Sequence, residues 1–218
     1  MNTVIAIDGP SASGKSTVSR KLAKTLSFVH VDTGAMYRAF TWYVLEKKVD
    51  PNSRNDVRRL IPAMDYETII DSGHFQLRID GQDPTPFLRD PEIHASVSPL
   101  ATIPEVREFL VTKQRLLRNQ TSLVMDGRDI GTVVFTDTPL KFFIDCDPEV
   151  RAQRRAAQGE KDATAVRDEI DSKRKISPLI RAADAELLDS GVLSVEEITN
   201  HILQRYEEVS PHSTLTTP

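Results

Sequence analysis

The chain has 218 residues, enough for one well-cored domain with a small insert, and its 39% hydrophobic and 28% charged content is that of an ordinary globular protein. A net charge of −4 argues against a general affinity for nucleic-acid backbones, and no apolar run approaches the ~20 residues of a membrane-spanning helix. The one cysteine, Cys146, excludes an internal disulfide and fits a buried thiol in a reducing cytoplasm.

Eighteen of the 28 basic residues are arginine, which grips phosphate and carboxylate bidentately, so local anion sites are expected in spite of the acidic balance. Met1-Asn2-Thr3 lacks a charged n-region, so no signal peptide is expected. Val4-Ile5-Ala6-Ile7 reads as a strand. It leads into Gly9-Pro10-Ser11-Ala12-Ser13-Gly14-Lys15-Ser16-Thr17, which fits the phosphate-binding pattern G-x-x-x-x-G-K-[ST]. The glycines let backbone amides converge on a polyphosphate, Lys15 supplies a charge, and the Ser16 hydroxyl can ligate Mg²⁺. Val18, Leu22 and Leu26 form a helical stripe behind the loop, whose positive end faces the same anion.

A second strand, Phe28 to Val31, runs into Asp32-Thr33-Gly34-Ala35-Met36-Tyr37-Arg38. The strand-to-helix turn is where open α/β sheets bind ligands, so Thr33, Tyr37 and Arg38 can reach a substrate; a plain helix start capped by Thr33 is the alternative. The spacing predicts a helix with Met36, Phe40, Tyr43 and Val44 inward and Trp42 off the stripe, and His30 reads as an ordinary strand residue. Asn55 is the expected cap of a short helix ending at Leu60. Tyr66–Ile70 and Phe75–Ile79 read as an antiparallel pair, with Phe75, Leu77 and Ile79 alternating with polar residues. A helix from Pro91 should stop at Ser98-Pro99. Another opens at Pro104, with Val106, Phe109, Leu110, Leu116 and Leu117 as its core face.

Leu123-Val124-Met125 is a buried parallel-type strand running into Asp126-Gly127-Arg128-Asp129-Ile130-Gly131. An apolar strand that ends in Asp before a glycine turn resembles a Walker B position, so Asp126 is a second candidate for Mg²⁺. Lys141 to Ile144 is a further strand, followed by a helix capped at Asp147-Pro148-Glu149 and carrying Arg151, Arg154 and Arg155. Arg167, Asp171 and Arg174 share a helix face, which a solvated stripe of ion pairs would equally explain. Ala185–Leu188 reads as the last strand. Ser194-Val195-Glu196-Glu197 is a capping box for an amphipathic final helix, and 210–218 reads as a disordered tail.

Taken together these stretches resemble the bacterial cytidylate kinases, of the nucleoside monophosphate kinase family. The most specific are Gly127-Arg128-Asp129-Ile130-Gly131 and Arg167-Asp168 with Asp171-Ser172-Lys173-Arg174. The resemblance implies a five-stranded parallel sheet between helices in one domain over 1–209, with core 1–50 and 104–209, a CMP-binding insert at about 51–103 and a short lid at about 156–166. It also implies a monomer that binds ATP, Mg²⁺ and CMP or dCMP, and neither nucleic acid nor membrane. Carried onto this sequence, residues 9–17 with Arg151 and Arg154 would bind ATP. Arg38, Arg128 and Arg167 would hold the CMP phosphate, and Asp171 the ribose. Ser98, Arg107, Asp129 and Arg174 would read the cytosine edge beside Thr33, Tyr37 and Gly127. Lys15, Asp126, Arg128 and Arg167 would carry the chemistry. The stretch between Arg155 and Arg167 is shorter than the lid the resemblance implies, so its arginines are assigned only to Arg151, Arg154 and Arg155 as candidates. Two other readings are weighed: a P-loop kinase for another small acceptor such as UMP or shikimate, and a nucleotide-binding switch. The missing N-K-x-D and D-x-x-G motifs disfavour the second.

Overall fold

The computed structural model describes residues 2–157, 170, 174 and 177–210. Five parallel strands form its centre: β1 (Val4–Asp8), β2 (Val29–Asp32), β5 (Leu123–Gly127), β6 (Lys141–Asp145) and β7 (Glu186–Asp189), in the order β2-β5-β1-β6-β7. All-parallel pairing needs helical crossovers on both faces, so the inner strands are buried on both sides and read as unbroken apolar runs. All five β1 residues are buried. Its alternate side chains divide the core: Val4 and Ala6 join one cluster, Ile5 and Ile7 the other.

The second cluster lies under α1 (Lys15–Leu26) and the last helix, α7 (Val195–Val209), through Leu22, Ile202 and Tyr206. The Ser194–Glu197 capping box that opens α7 is complete, with both reciprocal bonds formed. The first cluster lies under α2 (Thr33–Glu46), α4 (Pro91–Leu100) and α5 (Pro104–Leu117). Burying each fully enclosed Leu or Ile stabilises the fold by about 2 kcal/mol. The remaining helices are α3 (Arg54–Leu60) and α6 (Pro148–Ala157). β3 (Tyr66–Asp71) and β4 (His74–Ile79) form a separate antiparallel hairpin between α3 and α4.

Three local expectations are corrected. α4 runs through Pro99 to Leu100, because a proline this near a C-terminus forfeits only one intrahelical bond while the Ala101 amide still reaches Val97 O. α3 is capped at Ser53, which leaves Asn55 inside the first turn. Leu116 is exposed: at 100° per residue it points about 140° away from the mean direction of the buried residues Val106, Arg107, Leu110, Val111, Gln114 and Leu117. Trp42 is buried off its stripe because the segment before α4 covers it, with Phe87 stacked at 6.0 Å.

Candidate active site

Strand order puts the two motif loops side by side. β1 pairs with β5 so that Ile7 lies opposite Asp126 and Asp8 opposite Gly127, while β2 brings Asp32 opposite Asp126. The phosphate loop leaves the carboxyl end of β1, the crevice where open α/β sheets take ligands. Gly9 is required by close approach, since a Cβ there would stand 2.1 Å from Ile144 O. Ala12 and Gly14 have left-handed backbones, which coil the loop before α1 starts at Lys15. Lys15 is buried and its Nζ donates to Pro10 O at 2.8 Å, held inside the loop. Ser13 Oγ is buried without a hydrogen-bond partner among the described residues.

Ser16 Oγ donates to Asp126 Oδ2 at 2.6 Å. His30 Nε2 sits 2.6 Å from the other carboxylate oxygen, and Thr33 Oγ1 donates to the Asp126 carbonyl at 2.8 Å. One hydroxyl and one carboxylate, both hard oxygen donors and the carboxylate oriented by a histidine, fit a Mg²⁺ whose other ligands are waters and phosphates. Among the described residues no group of three His, Cys, Asp or Glu could hold a metal by itself, consistent with a cation completed by substrate.

The α6 arginines close over the loop. Arg155 Nη2 donates to Ser11 Oγ at 2.5 Å, and Arg151 Nη1 lies 3.5 Å from Ser11 O. Arg154 is committed to Ser190: its Nη1 donates to the hydroxyl at 3.0 Å and its Nη2 to the carbonyl at 2.7 Å. Ser190 Oγ in turn donates to Ser13 O at 2.7 Å, so the turn after β7 fastens helix and phosphate loop together.

Across the cleft, α2 begins at an Asp32 N-cap that accepts from the Ala35 amide at 3.1 Å, not at a Thr33 cap. Arg38 Nη2 also donates to Asp32, at 3.0 Å. Burial alone would raise the Asp32 carboxyl, but Arg38 and the Ala35 amide outweigh it and hold it below the usual carboxylate range. Arg107 and Asp129 form a buried ion pair, Arg107 Nη1 donates to Ala101 O at 3.2 Å, and its guanidinium lies 5.5 Å from the Tyr37 ring. Arg107 Nε is buried with no hydrogen-bond partner among the described residues. Ser98 is buried on α4, three residues ahead of Ala101. Gly127 packs so tightly that a Cβ would meet Thr33 Oγ1 at 2.5 Å; Arg128 beside it is half-buried, its Nη1 3.4 Å from Gly127 O. Arg174 is half-buried; Arg167 and Asp171, and nearly all of the expected lid, lie outside the described residues. A cavity of about 500 Å³, lined by His30, Asp32, Ala35, Phe75, Arg78 and Leu88, lies between the end of β2 and the hairpin.

Sequence reasoning missed His30, Asp32, Ser190 and Asp8. Asp8 is buried, and its two oxygens accept from the Ile130 and Gly131 amides at 2.7 and 2.8 Å. Burial pushes its carboxyl up to about 7, against the lowering effect of those two amides. An acidic residue at the end of an otherwise apolar strand was the available signal for Asp8; Ser190 carried none.

A family model described as cytidylate kinase matches residues 5–208. A cytidylate kinase of Corynebacterium efficiens is 40% identical over 96% of this chain and 96% of its own length. One from Desulfitobacterium hafniense is 42% identical over 95% of this chain and 94% of its own. A bifunctional pantoate ligase/cytidylate kinase of Prochlorococcus marinus is 36% identical over 96% of this chain, which spans 43% of that longer protein.

Proposed function

The chain belongs to the cytidylate kinase family, and on that premise we propose that it transfers the γ-phosphoryl group of ATP to the 5′-phosphate of CMP or dCMP, giving ADP and CDP or dCDP. The observation that carries the reading is the meeting of two groups of residues at the carboxyl ends of β1, β2 and β5: the Gly9–Thr17 cradle with Asp126, and the Arg107–Asp129 pair with Tyr37 and Arg38. The acceptor oxygen already belongs to a phosphate, so no strong base is needed, and the protein's work is positioning and charge neutralisation.

Lys15 and the loop amides hold the donor phosphates. Ser16 and Asp126 would hold Mg²⁺, which supplies charge neutralisation on those phosphates when bound. Arg38 and Arg128 hold the acceptor phosphate, joined by Arg167; Asp171 takes the ribose and Arg174 assists at the base. Cytosine offers an N4 amine donor and N3 and O2 acceptors, which a carboxylate (Asp129) and donors from Arg107 and Ser98 complement. Arg151 and Arg155 sit on the donor side, and closure over the cleft excludes water and limits ATP hydrolysis. The protein acts in the cytoplasm as a monomer in this reading. No described helix is long and apolar enough to cross a membrane. An ADP-release assay across CMP, dCMP, UMP, AMP and shikimate tests the assignment: turnover should depend on the acceptor and favour CMP and dCMP.

A further inference from the structure

The loop that carries Arg128 and Asp129 ends in a single π-helical turn, Ile130–Val134, with Asp129 at its N-cap. Such turns are rare and recur at functional sites. An Asp at that position ordinarily folds its carboxylate back onto the first free amides of its own helix. Here Asp129 makes no such bond; its carboxylate points away to Arg107. The first amides, of Ile130 and Gly131, are taken instead by Asp8, from the end of β1. Asp8 is also the residue immediately before Gly9, so one side chain joins the root of the phosphate loop to the acceptor loop.

We propose that Asp8 is a positioning residue for the acceptor site: by capping the Ile130–Val134 turn from a neighbouring strand, its carboxylate releases Asp129 to hold Arg107 and present the pair to the nucleotide base. The proposal rests on the reading of Arg107 and Asp129 as the base-recognition pair. Both Asp8 oxygens accept an amide proton, an arrangement that favours the ionised form, because a protonated oxygen is a weaker acceptor and must turn its O–H away from the amide. The charged groups facing Asp8 are Lys15 from α1, which favours ionisation, and Asp129, which opposes it. Lys141 on β6 has its stem against Gly131, on the same side as Asp8 Oδ2, and its Nζ donates to Asp184 and Thr136 O. Gly127, the register partner on β5, is uncharged. With the carboxyl held near 7 by burial, the ionised cap is about half populated at neutral pH, fuller above it and loosened in mild acid.

The test is steady-state kinetics of Asp8→Asn, which keeps the shape but can accept only one of the two amides. The expected result is a KM for CMP raised about tenfold or more, a reduced preference for CMP over UMP, and a KM for ATP within about twofold of wild type, the split a loss of 1–2 kcal/mol at the acceptor side alone would give. A folded variant with wild-type KM for CMP and unchanged selectivity overturns the proposal, whatever its kcat. If the variant does not fold, the wild-type amide proton shifts of Ile130 and Gly131, followed over roughly pH 5 to 9, decide. Both should titrate together near the Asp8 value, and saturating CMP should move the midpoint down, by the reciprocity of linked equilibria. Flat shifts, or a midpoint that CMP leaves unmoved, overturn it. A wild-type protein that binds CMP but makes no CDP counts against the assigned reaction and leaves the amide titration to judge Asp8.

Discussion

Arg107, on α5, and Asp129, at the head of the π-helical turn, form an ion pair whose side chains are only 4% and 7% exposed. Sealing two charges from water is costly, and an apolar pair of similar volume would serve a purely structural purpose at least as well. Their retention beside Tyr37 fits ligand recognition. Asp129→Ala should strand the Arg107 charge and cost about 3–5 kcal/mol in urea unfolding, and should abolish the preference for CMP over UMP. Replacing both residues with apolar ones should recover most of the stability and none of the selectivity. Equal loss on all acceptors would mean that Asp129 serves catalysis generally.

Lys15→Ala removes a buried cation held inside the phosphate loop, where it donates to Pro10 O. The variant should unfold at a urea concentration close to that of wild type and lose about 10²-fold or more in kcat, the scale of removing a preorganised charge from a transferring group. Pre-steady-state ADP formation checks it; undiminished turnover would contradict the role given to the loop.

Ser190→Ala removes the hydroxyl between Arg154 and Ser13 O. With a hydrogen bond worth about 1 kcal/mol, the KM for ATP should rise about fivefold while that for CMP stays put. Separate titrations of the two substrates distinguish this from a general loss of stability, which would move neither KM at low temperature.

Asp8 makes a signed contribution to stability against pH. Its carboxyl titrates near 3.8 unfolded and about 7 folded, so between those values the folded state holds the proton more tightly. The contribution is fully present below about pH 4 and is lost as pH rises through 7. Other carboxyls, such as Asp80, lowered by the Asp65 amide and by Lys47, slope the opposite way, so the effect is read as a difference. Wild type minus Asp8→Asn, measured by denaturant unfolding from pH 5 to 8, should fall with rising pH and level off above about 7.

Much of this was legible before the fold. Continuous apolar runs at residues 4–7, 123–125 and 142–144, bounded by turn signals, read as strands buried on both faces, and the glycine-lysine loop between the first strand and a helix declared its ligand. Strand order was not legible, because periodicity reports which faces are buried and not which edges pair. Hence His30 passed as an ordinary strand residue until β2 was seen beside β5, its ring against Asp126. Asp8 and Ser190 act through backbone groups over a hundred residues away, and a backbone amide has no signature in a side-chain pattern. Trp42 is buried although it lies off the stripe, because a helix stripe predicts one buried face whereas α2 is covered on a second side by Phe87.

The most direct measurement is ³¹P NMR of the purified protein mixed with ATP, magnesium and CMP. The account predicts CDP and ADP appearing together in equal amounts, reversible on adding excess of both, with far slower conversion of UMP. ADP and free phosphate accumulating without CDP, or no change in the spectrum, would contradict it.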